Sequence, residues 1–270
     1  MVDAEIYQWH YLFCRGIVVA TILLIFLIYQ EGLAFRHNFK RVGISGLIGG
    51  LGLASAFIFF IFGMTFTSAA TTLFMIGTQP LFAGLFAYIF LREYIRAATL
   101  IACLISLGGM FIMAYSDWQS GTFLGWFFGL FCSISFATFA VTLRWNPDTP
   151  KFTTIMISGV TCALFSIIMI LIFSENLTMP TRNILLSILH GSFVASGLIL
   201  LSIGSKYLPA AEFMLLSLTE VVGGVIWCWI PLFGVNEVPA AYTLIGGLII
   251  VFSIAFHAIG TRQKPEPPTL

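Results

Sequence analysis

The chain has 270 residues, of which 59% are hydrophobic and only 9% are charged. A soluble domain carries about 25% charged residues, and no soluble fold could hide this much apolar surface. The net charge is +1, which leaves no basic footprint for a nucleic-acid partner. The composition therefore excludes a soluble globular protein and predicts an all-α polytopic membrane protein.

Nine apolar segments follow one another along the chain, joined by short links. Their predicted bounds are 8–29, 42–63, 68–91, 95–115, 120–143, 152–173, 183–205, 209–231 and 240–260. A helix needs about 20 apolar residues to cross a ~30 Å hydrocarbon core, and each segment meets this length. The sequence thus predicts about nine transmembrane helices. The last residues, 261–270, contain three prolines and predict a disordered tail.

The basic residues alternate along the links. Ten of the 12 Lys and Arg lie in every second link or in the tail: Arg36, Lys40, Arg41, Arg92, Arg96, Arg144, Lys151, Lys206, Arg262 and Lys264. The other links hold only Arg182. Because cytoplasmic links are enriched in Lys and Arg, this pattern predicts a cytoplasmic C-terminus and tail and an external N-terminus. Low charge and compact links favour a bacterial inner (plasma) membrane.

The third segment carries a proline near its middle. Pro80 has no N–H, so the carbonyl of Ile76 loses its helical partner and the helix is predicted to kink. Gln79 lies beside that carbonyl, halfway across the bilayer, where lipid offers no hydrogen bond. Two interpretations are open: Gln79 holds a transported solute, or it bonds to a neighbouring helix at a packing kink.

The chain also contains a weak internal repeat, between residues 66–115 and 207–259. Three pairs of positions correspond: Gln79 and Glu220, Glu93 and Glu237, and Ala102 and Gly246. Glu93 and Glu237 each follow a helix, and the charge pattern places them on opposite sides of the membrane. The two units are therefore predicted to cross in opposite senses, an inverted-topology arrangement found in transporters, with the binding site near the bilayer midplane.

Two stretches carry the strongest pattern, GMTFTSAATTLFMIGTQPLFAGLFAYIFLREYIRAATLIACLISLGGMFIM and its weaker partner GSKYLPAAEFMLLSLTEVVGGVIWCWIPLFGVNEVPAAYTLIGGLIIV. The first has a small-residue start, a mid-helix proline, a Glu after the helix and a second helix with small residues. With these motifs the chain resembles the EamA family of the drug/metabolite transporter superfamily. FCRGIVVATILLIFL resembles the family's second helix, and GWFFGLFCSISFATFAVTLRW resembles the helix that opens its second repeat.

The resemblance implies a secondary transporter (a permease or exporter) of small metabolites or drugs that works by alternating access, without enzymatic activity or a cofactor. Its expected partners are a small-molecule solute and membrane lipid, and a homodimer is compatible with the sequence. The family has ten helices in two sets of five. The expected organisation here is a four-helix repeat at 1–117, a five-helix repeat at 118–260 and the tail at 261–270.

The four-helix repeat has one helix fewer than the family's set of five, and the helix without a counterpart is the family's first. Either the protein works without this helix, or the sequence begins at an internal Met. Because the helix normally lines the cavity, an alternative function is a truncated, non-transporting membrane subunit or scaffold. An intramembrane enzyme is a weaker alternative, since the sequence has no HExxH, no GxSxG and no paired aspartates within the apolar segments.

A second departure from the family lies in the later repeat, which has Thr219-Glu220-Val221 where the earlier one has Thr78-Gln79-Pro80. An ionised carboxylate at mid-bilayer costs several kcal/mol unless it is paired, hydrated or protonated. Glu220 is thus a candidate proton relay or cation anchor, with Thr219 as a supporting polar group. The alternative is a protonated, hydrogen-bonded structural glutamate.

Four further residues are candidates for the site or its surroundings. His190 lies beside Gly191 in a small-residue surface and either couples transport by titrating or serves as a hydrogen-bonded packing residue. Trp126, on the helix that opens the second repeat, is a candidate cavity residue together with Phe136. Arg15 is expected near the outer end of its helix, where it either attracts anionic cargo or extends to the membrane surface; we favour the latter. The cysteines lie in apolar segments without a CxxC pair, so no metal site is predicted.

Overall fold

The computed structural model describes residues 4–67, 69–93, 97–120, 123–146, 148–173, 178–204, 219–220, 223–224, 226 and 241–260. Within these ranges the secondary structure is helical, with no strand. The helices are α1 (Ala4–Glu31), α2 (Asn38–Arg41), α3 (Gly43–Phe66), α4 (Ala69–Ile76), α5 (Gln79–Phe86), α6 (Ala97–Ser120), α7 (Phe123–Trp145), α8 (Lys151–Phe173), α9 (Thr181–Gly204) and α10 (Ala241–Gly260). A 3-10 turn joins α1 to α2, and a π-helical turn extends α5.

Most predicted segments agree with these helices. Seven of them appear as single helices whose ends lie within five residues of the predicted ones: α1, α3, α6, α7, α8, α9 and α10. The segment at 209–231 lies almost entirely outside the described residues, as does the tail, so the count of nine stays a prediction. Six described stretches are long and apolar enough to cross a membrane: Ile6–Arg41, Gly43–Phe66, Thr71–Leu91, Leu124–Trp145, Lys151–Phe173 and Thr181–Gly204.

The third segment differs from the prediction, because it is broken rather than kinked. α4 ends at Ile76 and α5 begins at Gln79. The amide of Thr78 bonds to the carbonyl of Met75 at 3.0 Å, and the amide of Leu81 bonds to the carbonyl of Thr78 at 3.0 Å. These tighter bonds replace the helical pattern that Pro80 interrupts, so two short helices meet at a turn inside the bilayer.

Small residues bring the central helices close together. α1 packs against α8 and α9, and α3 packs against α7 and α8. At the crossing of α1 and α8, a Cβ atom added to Gly16 would lie 2.8 Å from the carbonyl oxygen of Gly159. Such contact between backbones requires glycine, and dispersion forces at close range hold helices together where lipid is as apolar as their side chains.

Three described links that carry basic residues lie at one end of the helices. Arg144, at the end of α7, forms an ion pair of 2.7 Å with Glu93. The hydroxyls of Ser45, near the start of α3, and Thr149, before α8, lie 2.6 Å apart. The links before α3, after α5 and between α7 and α8 therefore share one end, as the alternation of basic residues predicts.

The α1–α8 contact can be tested with two matched glycine substitutions. Gly159→Ala places a Cβ 2.8 Å from both the amide nitrogen of Ala20 and the carbonyl oxygen of Gly16, so it should lower the unfolding free energy by about 1–3 kcal/mol. Gly108→Ala meets nothing within 4 Å and should leave stability unchanged or raise it by up to about 1 kcal/mol. Thermal unfolding in detergent measures both, and equal effects of the two changes would contradict the packing described.

Candidate functional site

A cavity of about 400 Å³ opens among the helices, within the size range of small-molecule sites. Its wall comes from α1, α3, α7 and α9, from the break between α4 and α5, and from Glu220. Four polar or charged side chains lie in this wall: Arg15, Gln79, His190 and Glu220. The sequence prediction included three of these among the site residues, and the structure brings them to one cavity although they are far apart in the chain.

Gln79 reaches the cavity because the helix break positions it there. It is the first residue of α5, and its side chain is buried in the protein. Thr78 fixes the turn, because its hydroxyl lies 2.7 Å from the carbonyl oxygen of Met75 and 2.6 Å from the hydroxyl of Ser133 on α7. Gln79 makes no side-chain hydrogen bond to another described residue, so packing leaves its amide free to bond a ligand.

His190 connects α9 to α1 at the edge of the cavity. Its Nδ1 lies 2.6 Å from the hydroxyl oxygen of Tyr11, and its ring packs near that of Phe60. The hydrogen bond agrees with the predicted packing role, and His190 also lines the cavity, whereas its coupling role stays a prediction. The hydrogen bond determines which ring nitrogen is left to face a ligand.

Glu220 contributes a carboxylate to the same wall. It lies with Thr219 in a short helical stretch, and its side chain is exposed. No basic side chain of the described residues lies within salt-bridge distance of it. Thr219 is exposed as well but is not part of the cavity wall.

Two predicted site residues lie outside the cavity wall. Pro80 is buried at the start of α5 and acts by breaking the helix. Trp126 packs against a separate hydrophobic cluster that includes Phe74 and Met110, and its ring lies edge-on to that of Phe127 at 5.3 Å. Phe136, about three turns further along α7, does line the cavity.

The interpretation of Arg15 as a residue near the helix end is wrong. Arg15 is 2% exposed and lines the cavity. α1 begins at Ala4, so Arg15 is the twelfth residue of the helix, roughly 16 Å along its axis. The side chain is buried among the helices, where it donates to the carbonyl of Phe57 instead of reaching water. The sequence already showed Arg15 as a charged residue within an apolar helix. The error concerned only how far Arg15 lies from the end of that helix.

These helices and their shared cavity define a class, that of membrane proteins with a polar site enclosed by crossing helices. The sequence model of the EamA-like transporter family matches residues 3–115, which confirms the predicted resemblance. With the six candidate spans, the match makes the chain an integral, multi-pass membrane protein.

Solved structures extend the likeness along the chain. Thirteen chains of solved structures match significantly. One of them, known from a crystal structure, has a TM-score of 0.68 and 17% sequence identity over 94% of this chain and 89% of its own. At this identity the likeness shows the fold alone. None of the curated proteins compared with the chain is significantly similar in sequence.

The Tyr11–His190 hydrogen bond can be tested by Tyr11→Phe, which removes the hydroxyl and keeps the ring. Because the partner nitrogen then loses its bond in a partly buried place, the unfolding free energy should fall by about 1 kcal/mol. Tyr29→Phe is the control, since Tyr29 is 87% exposed and should tolerate the loss of its hydroxyl. Thermal unfolding in detergent compares the two, and a Tyr11→Phe protein as stable as the control would contradict the bond.

Proposed function

We propose that this chain is a secondary transporter (a permease or exporter) of small metabolites or drugs that works by alternating access. The observation that carries the proposal is the cavity itself, because polar groups from both predicted repeats meet there at a helix break. Broken helices at mid-membrane are where secondary transporters bind solutes, since freed backbone groups and polar side chains replace water. The match to the EamA-like family supports the same function, because that family consists of transporters rather than enzymes.

Each candidate residue has a role in this proposal. Gln79 orients the solute by hydrogen bonding, and Pro80 keeps the break open beside it. Glu220 pairs with a cationic group of the solute or carries the coupling proton. His190 supports the cavity through its bond to Tyr11, while Thr219 lies beside Glu220 as a supporting polar group. Trp126 packs behind the break, against the cluster that includes Phe74 of α4.

We also propose the inverted repeat, and the pairing of α6 with α10 supports it. The repeat equates Ala102 with Gly246, and in the same register Gly109 with Ser253. A contact between Gly109 and Gly246 should then have a counterpart between Ser253 and Ala102. A Cβ added to Gly109 would lie 2.7 Å from the carbonyl oxygen of Gly246, and the hydroxyl of Ser253 donates to the carbonyl of Ala102 at 2.9 Å.

These contacts also show the relative direction of the two helices. Moving from Gly109 to Ala102 along α6 corresponds to moving from Gly246 to Ser253 along α10. The helices are therefore antiparallel. Two equivalent helices that cross the membrane in opposite directions are what an inverted-topology repeat requires.

The proposed orientation places the end that holds the Glu93–Arg144 ion pair in the cytoplasm, together with the C-terminal tail. The basic links gathered there favour this side through the enrichment of Lys and Arg in cytoplasmic links. The proposed location is a bacterial inner membrane, with lipid around the helices and a small solute in the cavity.

Transport is tested by solute counterflow in proteoliposomes loaded with a pooled metabolite library. Gln79→Ala and Glu220→Gln should each reduce saturable exchange at least about tenfold, since each removes a polar contact to the solute. Glu31→Gln is the matched control, because Glu31 is the exposed last residue of α1 and its bond to Asn38 can be kept by an amide oxygen. Exchange that survives both cavity changes would contradict the assigned site, and no exchange from folded wild-type protein would favour the non-transporting subunit.

Orientation is tested by cysteine labelling in a variant without the native cysteines. Arg36→Cys and Arg182→Cys both replace exposed residues, and they lie in links on opposite predicted sides. A membrane-impermeant maleimide applied to intact cells should label Arg182→Cys at once and Arg36→Cys only after lysis. The opposite result would reverse the topology, and a permeant maleimide that labels both shows that each cysteine reacts.

A further inference from the structure

Arg15 is a permanent positive charge enclosed by the membrane-spanning helices. It is 2% exposed, and a guanidinium stays protonated under all ordinary conditions. Its position on α1 places it in the wall of the cavity, opposite groups from α3, α7 and α9. A charge held this way needs either an anionic partner within the protein or a role in binding one.

The described residues do not supply an anionic partner. Of the five N–H donors of a guanidinium, Nη2 donates one bond, to the carbonyl oxygen of Phe57 at 3.1 Å. The guanidinium also lies 4.6 Å from the centre of the Phe57 ring. Nε is buried and has no hydrogen-bond partner among the described residues, and none of their carboxylates forms an ion pair with Arg15. Buried donors of native proteins are rarely left in this condition without a functional reason.

The rest of the cavity wall indicates what accompanies the anionic group. Phe57, Phe60, Phe136 and Phe193 contribute aromatic rings to it. Such a wall binds an apolar or aromatic body, while the planar fork of an arginine matches the two oxygens of a carboxylate. Gln79 lies in the same wall, makes no side-chain hydrogen bond to another described residue, and adds a neutral polar contact.

We propose that Arg15 binds the carboxylate of the transported solute, so that the cavity takes organic acids with an aromatic or apolar body. This inference rests on the proposed transport function and names the chemistry of its cargo. Glu220 lies in the wall as a second charged group that is not paired with Arg15. A solute that also carries an ammonium group can pair with Glu220, whereas a simple acid leaves this exposed carboxylate without a cationic partner.

Four probes of similar shape separate these chemistries: phenylacetate, phenylacetamide, phenylalanine and phenethylamine. Binding to the purified full chain in lipid nanodiscs is measured by calorimetry at neutral pH. Phenylacetate should bind about tenfold to a hundredfold more tightly than phenylacetamide, because only the acid forms a charge-assisted hydrogen bond with Arg15. Phenylalanine should likewise exceed phenethylamine, and its affinity relative to phenylacetate reports whether Glu220 takes the ammonium group.

Substitutions of Arg15 test whether this residue causes the preference for phenylacetate over phenylacetamide. Arg15→Gln should abolish the difference between phenylacetate and phenylacetamide, and Arg15→Lys should keep part of it, since the charge remains but the two-pronged geometry is lost. Arg182→Gln removes the same charge from an exposed position and should bind all four probes as the wild type does. Thermal unfolding shows whether each variant is folded, and if Arg15→Gln is not, the comparison of wild type with Arg15→Lys decides.

Three results would overturn the inference: equal affinity of the wild type for acid and amide, a preference that persists in Arg15→Gln, or no binding of any probe to folded wild-type protein. The counterflow experiment distinguishes a failure of the carboxylate-binding inference from a failure of the transport proposal. Exchange of other solutes without a carboxylate preference would leave a transporter with different cargo. Arg15-dependent carboxylate binding without any exchange would leave the binding site and remove the transport function.

Discussion

A bilayer offers no water to a bare backbone group, and the break between α4 and α5 is where the described chain meets this constraint most directly. Pro80 cannot donate to the carbonyl of Ile76, and Gly77 and Thr78 form a turn instead of a helix. The hydroxyl of Thr78 anchors the turn to Met75 and to Ser133 of α7. Since the polar groups of the break have to face protein or a polar cavity, the break also determines that Gln79 lies in the cavity wall.

Close packing elsewhere keeps that cavity in place. Helices α1 and α8 touch backbone to backbone at Gly16 and Gly159, and α6 and α10 do so at Gly109 and Gly246. Such contacts leave no room for large side chains, so they fix the distance between helix axes at two crossings. Around the cavity, α1 carries Arg15 instead, and α3, α7 and α9 carry phenylalanines. The alternation of small and large residues therefore decides where helices meet and where space remains.

The sequence was sufficient for most of the helices because their signal is physical and local. An apolar run between charged links can satisfy its backbone in lipid only as a helix, so seven segments were predicted as single helices with nearly the right ends. The break at Gly77–Thr78 was predicted only as a kink, because proline explains a missing bond but not the tighter turn that replaces it. That turn depends on Ser133, which lies 55 positions away from Thr78 in the sequence.

Part of the cavity lining was predictable, because some residues are costly in lipid, and the part that depends on depth along a helix was not. Gln79, His190 and Glu220 were selected because polar groups at mid-membrane need partners, and all three line the cavity. Trp126 was a weaker choice, because an aromatic ring is at no disadvantage in an apolar cluster. Its ring packs against the cluster that includes Phe74 and Met110. Arg15 was placed too near the surface because α1 starts at Ala4, before the purely apolar run begins.

Arg15 and Glu220 make the wall of the cavity charged at two separate points. A direct ion pair between them would satisfy both charges within the protein and leave a ligand little to gain from either. In the structure both line one cavity without forming that pair, and aromatic rings lie in the wall with them. If the proposed solute binds here, its affinity depends on what it offers to each of these two charges. Because no described residue pairs with either charge, a solute that matches only the size of the cavity gains less than one that satisfies both groups.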